Sequence, residues 1–130
     1  MTKQDVIKYW LKESTKDWNR ALRCFKHKDY LFCLFCAHLS LEKLCKAIWV
    51  RDNIENHPPR IHNLRYILDQ TTILLSVNQK EFLTLMNTFQ IEGRYPDYTG
   101  KIYKICNQKF TKETLDQSKN IRQWLQKNLQ

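Results

Sequence analysis

The chain has 130 residues, 42% of them hydrophobic, and only two glycines and three prolines. This length suits one domain spanning residues 1–130 with its own core, and the scarcity of turn-forming residues argues against a β-sandwich or barrel. The formal net charge of +9 would attract polyanions such as nucleic acid, although a lysine-rich solvated surface explains it equally well.

Two long helices are predicted in the first half of the chain. The first spans residues 2–26, where Thr2 and Asp5 have the spacing of an N-cap and the acid that completes a capping box. Asp29 is placed to cap the second helix, which continues to about Asn53 before a Pro-Pro pair prevents further helix.

Further helices follow the Pro-Pro pair. A third begins near Ile61 and continues to Leu74 or Leu75, and Asn78 with Glu81 marks the start of a fourth. The short connections between them imply antiparallel neighbours.

The last part of the chain contains a loop and a final helix. Two glycines enclose the loop at residues 93–100, and the helix begins near Thr111. Together these elements predict an all-α fold, an up-and-down four-helix bundle with an additional helix.

The second predicted helix is apolar on nearly every side between residues 30 and 50. A helix at the surface would keep one polar face. We therefore expect this helix either to be the central helix of the bundle or also to contact another subunit.

Five cysteines without an N-terminal hydrophobic run or cleavage site indicate reduced thiols and a cytoplasmic location. The apolar run at residues 30–39 is interrupted by His38 and is shorter than the roughly 20 residues of a membrane span, so no membrane is expected as a partner. Cys33 and Cys36 form a C-x-x-C pair, but His38 points roughly 200° away from Cys36 around the helix. Core cysteines are therefore favoured over a metal site, and we expect no metal ion or other cofactor.

A polar ridge lies along the second helix, because His38, Glu42 and Lys46 follow one another at four-residue spacing. In a structural interpretation, Glu42 pairs with Lys46 and His38 bonds a neighbouring helix. In a functional interpretation, the ridge lines a cleft that receives a polar ligand or a side chain of a partner. His62, beside Asn63, is either part of a helix cap or faces the same cleft.

The loop after the fourth helix offers a second set of candidate groups. Arg94 and Tyr95 can present a guanidinium and a phenol to a phosphate or a base. Alternatively the loop is a structural turn, in which Asp97 fixes the backbone and Arg94 pairs with Glu42 or Glu92.

Three segments together resemble the HEPN domain family, named for nucleotide binding in higher eukaryotes and prokaryotes. They are the helix at 30–50 with its E-K-x-x-K-A core, the I-H-N-L-R-Y-I-L block at 61–68, and R-Y-P-D at 94–97. The resemblance implies a helical bundle that commonly dimerises. It also implies one of two branches: metal-independent ribonucleases, often toxins, or proteins paired with a small nucleotidyltransferase or lacking known catalysis.

The chain departs from the ribonuclease branch, in which an arginine precedes a histidine by four to six intervening residues. After Arg94 those positions hold Thr99, Gly100 and Lys101. Without an imidazole there, proton transfer at a 2′-hydroxyl loses its usual carrier. Two other pairs miss in context or spacing, namely Arg51 with His57 and Arg60 with His62.

The sequence thus predicts a dimeric, non-catalytic binding module for a nucleotide or a partner nucleotidyltransferase, in a prokaryotic two-component system of the toxin–antitoxin type. The alternatives are a metal-independent RNase toxin, in which His38 or His62 serves Arg94, and a structural dimer without a ligand. The predicted ligand-binding residues are His38, Glu42, Lys43, His62, Arg94, Tyr95 and Asp97.

Overall fold

The computed structural model describes all 130 residues, and the fold is all-α. Four helices are long and two are short, so the predicted four-helix bundle is confirmed, with two additional helices instead of one. The six helices are α1 Lys3–Lys26, α2 Tyr30–Asp52, α3 Leu64–Asp69, α4 Val77–Arg94, α5 Lys101–Ile105 and α6 Gln108–Leu129. None of them is long and apolar enough to cross a membrane.

The long helices alternate in direction. The Lys3 ammonium at the start of α1 donates to the Val50 carbonyl near the end of α2, at 2.6 Å. Halfway along the same pair, the Ser14 hydroxyl donates to the Ser40 carbonyl at 2.7 Å. These contacts make α1 and α2 antiparallel, as short connections require.

Helix α2 is the central helix of the bundle. It contacts all five other helices, and most of its residues are buried. The other helices of the same chain therefore cover its apolar sides. Contact with a second subunit, the other explanation for these apolar sides, stays a prediction.

The first two helices begin where the sequence predicts, and the third begins later. Thr2 and Asp5 form the predicted capping box. Asp29 precedes α2 but makes no capping hydrogen bond. The third helix begins at Leu64, because Asn63 accepts the Tyr66 backbone N–H and caps it.

Three other boundaries were wrong. Helix α3 ends at Asp69, so Leu74 lies outside it and is 88% exposed. Helix α4 starts two residues early, since Ser76 and Gln79 form the capping box. Asn107 caps α6 ahead of Thr111, and residues 101–105, between the predicted loop and the predicted last helix, form α5.

The cysteines are core side chains. All five are free, and Cys33 and Cys36 are buried. Burial raises the pKa of each of these two thiols to about 12, because a thiolate would lose its hydration. No group of three or more potential ligand side chains is placed to hold a metal ion.

Candidate functional site

The polar ridge of α2 faces inward, against α4, the segment before α3 and Trp10 of α1. His38, Glu42 and Lys46 are all buried on this one side of the helix. A buried charge is stable only with partners, so the contacts of Glu42 and Lys46 decide what the ridge can do.

Glu42 is the centre of the ridge. Its Oε2 accepts a hydrogen bond from Lys46 Nζ at 3.1 Å, which confirms the predicted pair. Its Oε1 lies 2.8 Å from His62 Nδ1 and 4.0 Å from His38 Nδ1. One carboxylate therefore joins three side chains; Glu42, Lys46, His62 and His38 are called the Glu42 network below.

His38 bonds the neighbouring helix, as predicted. Its Nε2 lies 3.4 Å from Asn87 Oδ1, and that oxygen also accepts the Leu64 backbone N–H at 3.1 Å. Because the amide oxygen can only accept, Nε2 carries a proton. Burial lowers the pKa of His38, which favours the neutral ring and leaves Nδ1 without a hydrogen-bond partner.

Asn87 fixes the start of α3 against α4. Besides these bonds, its Nδ2 donates to Asn63 Oδ1 at 3.2 Å, on the residue that caps α3. His62 precedes that cap, so the same contacts hold its backbone in position. Asn63, and not His62, is therefore the residue that caps α3. The His62 side chain instead bonds Glu42.

His62 is the member of the network that reaches solvent. Its side chain is 43% exposed, whereas the Glu42 side chain is 5% exposed. Nδ1–H donates to the carboxylate, so Nε2 is left for another partner. The neutral ring offers a lone pair at Nε2, and the protonated ring offers an N–H. A carboxylate that orients an imidazole in this way suits hydrogen bonding to a ligand and also proton transfer.

Arg94 lies at the C-terminal end of α4. Its guanidinium lies over the Phe35 ring, 5.5 Å from the centroid, and it makes no ion pair with Glu42 or Glu92. The predicted pairing was therefore wrong. Gly93 allows this close packing, because a Cβ at that position would come within 2.8 Å of Phe35.

The loop after Arg94 is held by its own turn. Asp97 Oδ1 accepts the Thr99 hydroxyl at 2.7 Å and the Thr99 and Gly100 backbone N–H groups at 3.1 Å each. These bonds lower the pKa of Asp97 and confirm that it fixes the backbone. Tyr95 is 76% exposed. The loop therefore keeps its shape while its aromatic side chain stays free for contact.

Lys43 lies apart from the other predicted site residues. It forms an ion pair with Asp17 of α1, which also pairs with Arg20. As the residue next to Glu42, it points about 100° away around the helix. Its contribution to a ligand site stays an untested prediction.

Apart from Lys43, the predicted site residues fall into two groups on one side of α2. His38, Glu42 and His62 form the inner group, and residues 94–97 form the outer one next to Phe35. Phe35 and Glu42 are seven residues apart, or about 10 Å along the helix axis. The His62–Glu42 bond was missed from the sequence, since His62 lies outside any helix and its direction depends on the packing of α3 against α4.

A comparison with protein-family models adds an independent finding. The model of the HEPN domain matches residues 7–129. No curated protein and no solved structure matches the chain.

Proposed function

Because the chain belongs to the HEPN domain family, which links it to nucleotide- and RNA-related functions, we propose that it is a dimeric binding module without catalytic activity. Its ligand is a nucleotide, and its partner is a small nucleotidyltransferase in a prokaryotic two-component system of the toxin–antitoxin type. The inner group of predicted residues contacts the nucleotide, and the outer group contacts the partner protein.

The observation that carries the proposal is the half-exposed His62 ring held by the buried Glu42 carboxylate. The ring is oriented before a ligand arrives, so binding does not have to order it. Its Nε2 can bond a ribose hydroxyl, or a phosphate oxygen when the ring is protonated. The inner group is therefore the nucleotide contact.

The outer group serves the partner protein. Tyr95 is exposed at the loop, and the Arg94 guanidinium packs on Phe35 without an acidic partner. Aromatic and arginine side chains dominate the binding energy of protein interfaces. Arg94 can there contact a carboxylate of the partner or a phosphate that the partner carries.

Two binding measurements test the proposal. Calorimetric titration with AMP should show binding that His62→Ala weakens about tenfold, the loss expected for one charge-assisted hydrogen bond. Co-purification with the nucleotidyltransferase encoded by a neighbouring gene should be weakened by Arg94→Ala. The exposed Lys119 on α6 provides the control variant Lys119→Ala for both measurements. A wild-type chain that binds neither AMP at millimolar concentration nor the neighbouring protein would contradict the proposal.

The dimer is tested separately by sedimentation velocity at micromolar concentration. We expect a single species of twice the mass of the 15.8 kDa chain. A monomer under these conditions would remove dimerisation from the proposal while leaving the binding contacts open to test.

One observation favours a second function, a metal-independent RNase. A histidine oriented by a carboxylate is the usual arrangement of a general base, and His62 with Glu42 has this geometry. Incubation of the protein with end-labelled RNA in EDTA distinguishes the two functions. Cleavage by the wild-type chain that His62→Ala abolishes would establish the RNase, and intact RNA would support the non-catalytic module.

A further inference from the structure

A cleft opens at the Lys46 end of the Glu42 network, on the side away from Arg94. It lies between the first turns of α1 and the loop at residues 56–60 and has two adjoining lobes. One lobe, of about 320 Å³, is lined by Tyr9, Trp10, Lys46, His57, Pro58 and Arg60. The other, of about 220 Å³, shares Tyr9, Trp10, His57 and Pro58, so the two lobes adjoin.

The larger lobe is cationic. Arg60 and His57 form no hydrogen bond or ion pair within the chain, so their nitrogen atoms are available to a ligand. Lys46 adds a third basic group, although its ammonium is already bonded to Glu42. No acidic side chain lines this lobe. Several nitrogen donors around one small space suit a group with several acceptor oxygens, such as a phosphate.

The smaller lobe is mostly apolar and aromatic. Tyr9 and Trp10 pack edge to face with their ring centroids 5.3 Å apart, and Tyr9 is half exposed. Val6 continues this wall. Aromatic side chains in such a position stack on planar groups, whatever the identity of the base. Asn56 also lines this lobe, and its Oδ1 is buried without a hydrogen-bond partner.

We infer that this cleft holds a nucleoside monophosphate, with its phosphate at Arg60 and His57 and its base against Tyr9 and Trp10. The inference rests on the proposed nucleotide-binding function and gives it a location and a ligand class. The two lobes define the ligand class. A ligand that fills both must carry an anionic group for the basic lobe and, a short distance away, a planar group for the aromatic lobe. The lobes are at the small end of the usual range for ligand sites, so a single nucleotide fits them better than a longer chain.

The cleft is connected to the Glu42 network through Lys46. Its ammonium lies 3.1 Å from Glu42 Oε2 and 5.4 Å from the centroid of the Trp10 ring. A phosphate near Lys46 therefore competes with Glu42 for the same ammonium. The Glu42 carboxylate then bonds more strongly to His62. A ligand in the cleft therefore changes the hydrogen bonding of the exposed His62 imidazole.

Calorimetry on the full chain with three related probes tests the inference. AMP should bind at least about tenfold more tightly than adenosine, which lacks the phosphate, and than ribose 5-phosphate, which lacks the base. Arg60→Ala should weaken AMP binding about tenfold, and Tyr9→Ala should weaken it by a similar factor. Arg23 is an exposed arginine at the other end of α1, so Arg23→Ala provides a matched control that should leave the affinity unchanged.

The possible results separate the location from the function. If AMP binds and His62→Ala weakens it while Arg60→Ala and Tyr9→Ala do not, the cleft is not the site, although the proposed function stands. If ribose 5-phosphate binds as well as AMP, the cleft is only an anion site and the ligand class is wrong. If the wild-type chain binds no nucleotide at millimolar concentration, the nucleotide-binding function fails together with the inference.

Discussion

The Glu42 network and the loop at residues 95–100 are ordered in different ways, and Glu42 lies about 10 Å along α2 from Phe35, on which Arg94 packs. The network depends on side chains of α2, on Asn87 of α4 and on the segment before α3, with Glu42 buried at its centre. The loop depends on Asp97 and the backbone within three residues of it. Tertiary contacts fix the first region, and a local turn fixes the second.

This difference has a functional consequence. A preformed polar network suits a small ligand that must be held in one orientation. An exposed loop with an aromatic side chain and an arginine suits a protein partner, whose surface can adapt to it. The predictions below test whether the two regions really differ in this way.

The largest effect is expected from Glu42→Ala. The variant leaves the buried Lys46 ammonium without its anion, and His38 and His62 lose the neighbouring carboxylate. Removing one partner of a buried ion pair lowers the free energy of unfolding by about 3–5 kcal/mol. Urea unfolding of both proteins measures this difference in free energy. Glu113→Ala, at an exposed position on α6, is the control. A loss below 1 kcal/mol, the value typical of surface pairs, would show that the network does not stabilise the fold.

Gly93→Ala should have the next largest effect. The added methyl group would lie 2.8 Å from the Phe35 side chain, and overpacking of this kind costs about 1–3 kcal/mol. Because Arg94 follows directly, the variant should also shift the guanidinium that packs on Phe35. Thermal unfolding gives the stability change, with Thr88→Ala as the exposed control on α4. An unchanged melting temperature would mean that α4 and α2 are not packed this closely.

Acidification should destabilise the network through His38. Burial lowers the pKa of His38 in the folded chain, so the unfolded chain, with a pKa near 6.5, binds the proton first as the pH falls. The stability that His38 contributes is thus complete above about pH 7 and is lost below about pH 6.5, by at most about 1.4 kcal/mol per pH unit.

Unfolding free energies measured between pH 7.5 and 5.5 test this dependence. The decrease should be smaller in His38→Gln, which keeps a hydrogen-bond donor for Asn87 and cannot be protonated. The same slope in both proteins would assign the pH dependence to other histidines.

The smallest effect on global stability is expected from Asp97→Ala. The carboxylate is exposed, and its bonds reach only Thr99 and Gly100, so the unfolding transition should be unchanged. Hydrogen exchange at the Thr99 amide should become faster, since it loses its acceptor, and the change at Gly100 should be smaller, because that amide also donates to the Asp97 carbonyl at 3.3 Å. A clear decrease in global stability would show that the loop is coupled to the core and that the two regions are not distinct.

The sequence predicts best what depends on helical spacing. The buried character of α2 and the Glu42–Lys46 pair follow from positions along a single helix, and both are confirmed. Lys43 was predicted to share the ligand site with Glu42, although neighbours on a helix point about 100° apart, and its ammonium pairs with Asp17.

Contacts between distant segments could not be predicted in this way. The His62–Glu42 bond depends on Asn63 and Asn87, which fix the start of α3 against α4. The alternative in which Arg94 pairs with an acidic residue was wrong, because Gly93 lets α4 pack closely on Phe35 and the guanidinium lies over that ring. The spacing of residues along the chain does not show how closely distant segments pack, and both of these contacts depend on that packing.

The most direct test of the account is an NMR titration of the isotope-labelled chain with AMP, followed at the backbone amides and the histidine rings. We expect shifts at His62, His57, Arg60 and Trp10, with little change at Tyr95 and Thr99. Such a result would place the nucleotide at the Glu42 network and the cleft beside it. Shifts confined to residues 94–100, or none at millimolar AMP, would contradict the assignment of nucleotide binding to this network.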